Sequence, residues 1–318
     1  MPSSKTSGNG TSGNGNRSNG KRRRVRQLKE RPVRPDPRLP IKGRLLIVGG
    51  REDKIGGKVI LRSLAQLVGN GKLVVATLAS EKPGEQWAEY EGALRGLGVR
   101  HVYHLRIESR ADAESPKAIG VLEGATAIFF TGGDQLRLTS LIGDTPVFSR
   151  CYEIYANGGA IAGTSAGASA MSETMLVANN GEASYRIKSA LLMAPGLGLA
   201  QDMLIDQHFS ERGRMARLIG AVSQNPRVLG TGIDEDTAIV VEHNRSFRVL
   251  GEGAVYVVDG SKMSYSNIGE EDSDRTLSSF GIAVHMLSQG DQFDLITRTP
   301  YAHPADSMEE EKEEKKTG

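Results

Sequence analysis

Short apolar runs alternate with amphipathic segments along the first half of the chain. Leu45 to Val48 is continuously apolar and meets a Gly49-Gly50 turn, after which a helical pattern covers about Lys58 to Val68. Leu73 to Leu78 precedes a second helix near Gln86 to Leu97. Val102 to Leu105 precedes a polar helix around Ala111 to Leu122, and Ala127 to Phe130 runs into Thr131-Gly132-Gly133-Asp134-Gln135. Strands that are apolar throughout and separated by helices are buried on both faces. This predicts an α/β chain with a largely parallel central sheet and helices on both sides. In such sheets, active sites collect at the carboxyl ends of the strands.

The next apolar run, Gly158 to Ala162, ends in Gly163-Thr164-Ser165-Ala166-Gly167. Gly-x-Ser-x-Gly between a strand and a helix is a nucleophile elbow, in which glycines permit a strained turn and the serine hydroxyl stands exposed at the strand tip. Residues 179 to 202 then read as loop, with a turn at Pro195-Gly196-Leu197-Gly198. Met203 to Asp206 reads as a strand, Gln207-His208-Phe209 lies just past it, and Ser210 to Ile219 begins a helix with a charged first turn. From Val228 the runs are short and alternating, at Leu229 to Asp234, Ala238 to Glu242, Phe247 to Leu250 and Val255 to Val258. They predict an antiparallel extension of the same domain.

Composition narrows the class. The 318 residues are 38% hydrophobic, enough for a substantial core. There is no run of about 18 apolar residues and the N-terminal stretch is polar, so neither a membrane span nor a secretory signal is expected; the expected location is the cytoplasm. Cys151 is the single cysteine, which excludes an intrachain disulfide and a cysteine-built zinc site. The net charge of +2 is divided: residues 1 to 38 hold eleven Lys and Arg against Glu30 and Asp36, about +9, leaving the remainder near −7. Residues 1–40 are expected to be a disordered, basic Gly/Ser/Asn-rich tail, 41–300 a single catalytic domain, and 301–318 a charged tail. The basic segment reads as a solubilising tail or as an arm for a polyanion; nucleic acid is not the expected partner, although the arm leaves it open.

A serine nucleophile needs a base, a group that orients the base, and donors for the oxyanion. Of six histidines, His101 and His104 lie in a strand, and His243, His285 and His303 fall in late strands or the tail. His208 follows a strand end and is the preferred base. Glu235, in Gly232-Ile233-Asp234-Glu235-Asp236, is the chosen orienting carboxylate, with Glu182 as the alternative. The oxyanion donors are the backbone N–H of Ala166 and one from the Gly132-Gly133-Asp134 turn, taken as Gly133.

Four segments, in order, carry a family resemblance: Phe129-Phe130-Thr131-Gly132-Gly133-Asp134-Gln135, Gly163-Thr164-Ser165-Ala166-Gly167-Ala168, Asp206-Gln207-His208-Phe209-Ser210-Glu211-Arg212-Gly213-Arg214 and Gly232-Ile233-Asp234-Glu235-Asp236-Thr237-Ala238. They resemble the serine peptidase family of cyanophycinases and aspartyl dipeptidases, over about residues 42 to 290. The resemblance implies a class I glutamine-amidotransferase-like, flavodoxin-like layered fold with serine at the nucleophile position. It implies hydrolysis of cyanophycin, a poly-aspartate backbone carrying arginine on each side chain, to β-Asp-Arg dipeptides through an acyl-enzyme. Ser165, His208 and Glu235 would be the catalytic residues, with Gln135, Asp206, Gln207, Arg214 and Arg217 lining the substrate pocket. No metal or cofactor is implied, and a homodimer is. The alternatives are an α-aspartyl dipeptidase and a non-catalytic, amidotransferase-like binding scaffold. Arg214 and Arg217 are three apart, so on a helix they would share a face and could clamp carboxylates together.

Overall fold

The computed structural model describes residues 41–177, 192–270 and 275–303. Residues 1–40, 178–191 (with Glu182), 271–274 and 304–318 lie outside the described residues, so the expectations for both tails and for Glu182 fall there too.

Five strands, β1 (Arg44–Val48), β2 (Lys72–Ala76), β3 (His101–Leu105), β4 (Ala125–Phe130) and β5 (Ala160–Thr164), pair in parallel in the order β1-β5-β4-β2-β3. Alternate side chains point to opposite faces and feed two separate cores. Leu45, Ile47, Val74, Ala76, Ile128 and Phe130 face one side, where α3 (Arg110–Ala113), α4 (Pro116–Leu122), α5 (Gln135–Ile142) and α6 (Pro146–Ala156) supply Ala113, Leu122, Leu138, Ile142 and Tyr155. Leu46, Val48, Leu73, Val75 and Phe129 face the other, covered by α1 (Val59–Val68) and α2 (Pro83–Gly96) through Ile60, Leu61, Leu64, Tyr90 and Leu94. The continuous apolar runs are therefore strands with both faces buried. Cys151 lies fully buried in α6.

The rest of the chain is α7 (Ala166–Ser169), β6 (Thr174–Leu176), β7 (Met193–Pro195), β8 (Met203–Gln207), α8 (Met215–Gln224), β9 (Leu229–Ile233), β10 (Thr237–Glu242), β11 (Ser246–Gly251), β12 (Val255–Asp259), β13 (Tyr265–Ser266), β14 (Ser279–Phe280), β15 (Ala283–Leu287), β16 (Gln292–Asp294) and β17 (Thr299–Tyr301). β10, β11, β16 and β17 continue the sheet from β1 with antiparallel pairing, giving nine strands in the order β17-β16-β11-β10-β1-β5-β4-β2-β3. β8, β9, β12 and β15 form a second sheet in the order β15-β12-β9-β8. Its Met203, Ile205, Leu229, Ile233, Val255 and Val257 pack into the same core as Leu45 and Ile47. Its Leu204 and Val258, with Phe209 just beyond β8, pack with Leu218 and Val222 of α8. Among the described residues, no helix is long and apolar enough to cross a membrane.

The mixed α/β architecture with parallel strands at its centre matches the reading of the sequence, with four corrections. The expected antiparallel extension is divided between two sheets: β10 and β11 join the main one, whereas β9 and β12 join β8. The buried strand before the elbow runs over Ala160–Thr164, because Gly158 takes φ 106° and forms the turn out of α6. The helix expected around Ala111 to Leu122 is two helices, since Pro116 has no N–H to continue the first and starts the second, capped by the Ser115 hydroxyl. The helix expected from Ser210 begins at Met215, because Gly213 adopts φ 60° and closes a turn first.

Candidate active site

Ser165 follows β5 directly. Its backbone sits at φ 53° and ψ −113°, a conformation few non-glycine residues adopt, and places the side chain off the strand tip. The flanking glycines are required by close approach: a β-carbon on Gly163 would lie 2.6 Å from the Gly167 carbonyl oxygen, and one on Gly167 2.3 Å from that of Phe130.

His208 and Glu235, the candidate base and its orienting carboxylate, come from the ends of strands of the second sheet. β8 and β9 run parallel, with Gln207 opposite Ile233 at their carboxyl ends. The residues just beyond, His208 and Asp234-Glu235, therefore emerge side by side. The Ser165 Oγ lies 2.9 Å from His208 Nε2, and His208 Nδ1 lies 2.6 Å from Glu235 Oε1. A carboxylate can only accept, so Nδ1–H donates to Glu235, which leaves Nε2 as the acceptor for the serine hydroxyl. His208 is 5% exposed. Burial pulls its pKa below the usual 6.5, and the hydrogen bond to Glu235 opposes that shift. Glu235 also faces the Arg51 guanidinium, at 3.3 Å from Nε.

The Thr131-Gly132-Gly133-Asp134 turn lies against the elbow. A β-carbon on Gly132 would fall 3.4 Å from Ser165 Cβ, and Gly133, at φ 139°, passes so close to Ala79 that a β-carbon there would lie 2.0 Å from its carbonyl oxygen. The Asp134 N–H is committed to the Ala79 carbonyl at 2.9 Å, and the Asp134 side chain caps α5. Within this turn, Gly132 is the residue brought against Ser165. Gln86 of α2 fixes the turn, accepting from Thr131 Oγ1 at 2.6 Å and donating to the Gly132 carbonyl at 3.4 Å.

Asp206, Gln207, Arg214 and Arg217 form one buried cluster beside His208 in the chain. Asp206 is fully buried. Arg217 Nε donates to its Oδ2 at 2.6 Å and Nη2 to its Oδ1, while Arg214 Nη1 donates to Oδ1 at 3.1 Å and to the Gln207 carbonyl. Burial pulls the Arg214 pKa down to about 10, against the attraction of Asp206. The two arginines do share a carboxylate, but it is the protein's own Asp206; Arg214 stands at the N-cap position of α8 without a side-chain capping bond, and Arg217 occupies the first turn. The Gln207 Oε1 is buried with no partner among the described residues. Gln135, the first residue of α5, donates from Nε2 to the Leu176 carbonyl at 3.0 Å. The other histidines lie elsewhere; His104, for instance, stacks on Trp87 and bonds Thr77.

One buried acid of this neighbourhood is not singled out by the sequence. Glu52, 2% exposed, accepts from Thr164 Oγ1 at 2.6 Å and from Tyr90 Oη at 2.5 Å. The signal was a polar Arg51-Glu52-Asp53 run directly after a buried strand, which reads as an ordinary exposed turn.

Comparison with known proteins bears on this geometry. Cyanophycinase of Synechococcus elongatus is 39% identical over 259 residues, 80% of this chain and 80% of that protein. Cyanophycinase of Geminocystis herdmanii is 36% identical over 266 residues, 82% of this chain and 97% of that protein. Among solved structures, a peptidase from an acI-B1 Actinobacterium shares the fold at a TM-score of 0.60 and 22% identity, covering 81% of this chain and 98% of that one. The model of peptidase family S51 matches residues 45–249. With more than half of its length matched by that model and 80–82% of it aligned to these relatives at 36–39% identity, the chain belongs to peptidase family S51.

Proposed function

We propose that this serine peptidase hydrolyses cyanophycin to β-Asp-Arg dipeptides through an acyl-enzyme. The observation that carries the reading is the line from Ser165 Oγ through the His208 ring to Glu235, with steps of 2.9 and 2.6 Å, in a chain 36–39% identical to cyanophycinases. His208 takes the Ser165 proton as the hydroxyl attacks the backbone carbonyl next to the β-linked residue. It then returns that proton to the leaving amine, and water releases the acyl group by the reverse sequence. Glu235 holds the ring with Nε2 toward the serine and stabilises the imidazolium. The N–H groups of Gly133 and Ala166 receive the oxyanion, a contribution of about 3 kcal/mol per donor in enzymes built this way.

The substrate pocket of this reading is formed by Gln135, Asp206, Gln207, Arg214 and Arg217. One aspartate shared by two guanidiniums leaves the cluster with a net positive charge, which suits the carboxylates of a β-aspartyl substrate. The fold is read more finely as class I glutamine-amidotransferase-like, supported by the elbow after the central parallel strand β5. Assembly as a homodimer belongs to the same reading and is checked by sedimentation equilibrium.

Incubation with cyanophycin and, separately, with Asp-X dipeptides tests the substrate. Release of β-Asp-Arg is expected; cleavage of the dipeptides alone would reassign the chain to aspartyl dipeptidase chemistry. Ser165→Ala is expected to reduce turnover by at least about 10⁴-fold with an unchanged melting temperature, and a variant that stays active overturns the mechanism.

A further inference from the structure

We propose that Glu52 is a positioning residue for the nucleophile, acting through Thr164. The inference rests on Ser165 being the nucleophile and begins from the division of the site between two sheets. Ser165 is carried by β5 of the nine-stranded sheet, His208 and Glu235 by β8 and β9 of the four-stranded one. Something must fix one sheet's contribution against the other's.

The tip of β1 touches both. The Val48 carbonyl accepts the Ser165 N–H at 3.1 Å, and the Gly49 carbonyl accepts the His208 N–H at 2.8 Å. Gly50 lies so close under the His208 ring that a β-carbon on it would be 2.4 Å from Cε1, and its carbonyl accepts the Asp236 N–H at 2.9 Å. The Asp53 N–H donates to Asp236 Oδ1 at 2.8 Å. Residues 48–53 are thus a joint between the strand that presents the serine and the two strands that present its partners.

Glu52 is the part of this joint that holds the nucleophile strand by a side chain. Burying a carboxylate to 2% exposure is unfavourable unless hydrogen bonds replace its water. Here one oxygen accepts Tyr90 Oη from α2 and the other accepts Thr164 Oγ1, with the Lys54 ammonium 3.9 Å away. Thr164 immediately precedes Ser165, whose left-handed backbone needs its neighbours held in place. Through these two hydroxyl bonds the Glu52 side chain pins the residue before the strained turn to the segment after β1 and to α2. The serine hydroxyl must meet His208 Nε2 and the oxyanion donors at once, and a displacement of an ångström is enough to separate them.

The test uses Glu52→Gln, Thr164→Val and the double variant, with two readouts: kcat and KM for β-Asp-Arg release, and the rate of Ser165 labelling by a fluorophosphonate, which needs no peptide substrate. Glutamine keeps the shape of Glu52 but presents an N–H₂ where one hydroxyl donates. Each single variant is expected to lose about ten- to a hundredfold in kcat and in labelling rate, with KM changed by less than about threefold. The double variant is expected to lose no more than the worse single one. Thr164→Ser, which keeps the hydroxyl, is expected to recover most of the rate. Labelling and turnover within about twofold of the parent for Glu52→Gln, or single losses that multiply in the double variant, overturn the proposal. If Glu52→Gln does not fold, Thr164→Val against Thr164→Ser decides alone: equal rates overturn it. A parent protein that is labelled at Ser165 yet inert toward cyanophycin would defeat the proposed substrate and leave the labelling comparison to decide the role of Glu52.

Discussion

His208 is pulled in two directions. Burial disfavours its charged form, the Glu235 carboxylate favours it, and burial prevails, so the ring stays neutral to a pH below its usual 6.5. Arg212 and Arg214 act in the same direction as burial. In the proposed mechanism a neutral ring is the form that accepts the serine proton. The acid limb of kcat/KM is therefore expected below pH 6.5, and Glu235→Gln is expected to move it lower still, because the opposing influence is removed. The same variant is expected to lower kcat by about 10³- to 10⁴-fold, since an amide can hold the ring in the wrong tautomer. A pH–rate profile of both proteins checks the two effects together. Asp206 poses the converse problem: it is the shared counter-charge of two buried guanidiniums. Asp206→Ala should destabilise the fold by about 3–5 kcal/mol, the usual result of stranding a buried charge, read as a lower denaturant midpoint.

At the scale of elements, the strands of the parallel half were legible because each is an unbroken apolar run, and the elbow because its glycines sit where backbone passes backbone. Gly167→Ala puts a β-carbon 2.3 Å from the Phe130 carbonyl oxygen. Main chain cannot swing aside as a side chain can, so a loss of about 1–3 kcal/mol is expected, together with slower fluorophosphonate labelling; unchanged melting and labelling would mean that β4 and α7 are free to separate. What local pattern did not carry was the partner of each strand. β8 and β9 look like any buried strand, and nothing within them says that they leave the main sheet to pair with each other and β12. The arginine pair shows the same limit: its spacing was readable, but its acceptor, Asp206, stands 8 and 11 residues away and could as well have been solvent or substrate. Glu52 was hidden for a related reason, since only tertiary packing brings Tyr90 and Thr164 to it.

For the molecule as a whole, the core on the α6 side of the main sheet is closed to solvent at Cys151, which is fully buried and whose thiol is pushed up to about 12 by that burial. A thiol reagent should therefore label the native protein only through opening of this region, at a rate that follows the global unfolding equilibrium as denaturant is added. Fast labelling in the absence of denaturant would show that α6 opens by itself.

The placement of Ser165 and its partners on different sheets also orders events during synthesis. When β5 has left the ribosome, the strands that flank it in the parallel half, β1 and β4, have already been made, but the chain contains no His208 and no Glu235. β9, which carries the carboxylate, gains its second neighbour only when β12 has followed. On the proposed mechanism, a growing chain thus holds a serine that is a chemically ordinary alcohol for the about 70 residues made between Ser165 and Glu235, and it gains its partners only once β8 and β9 have both emerged.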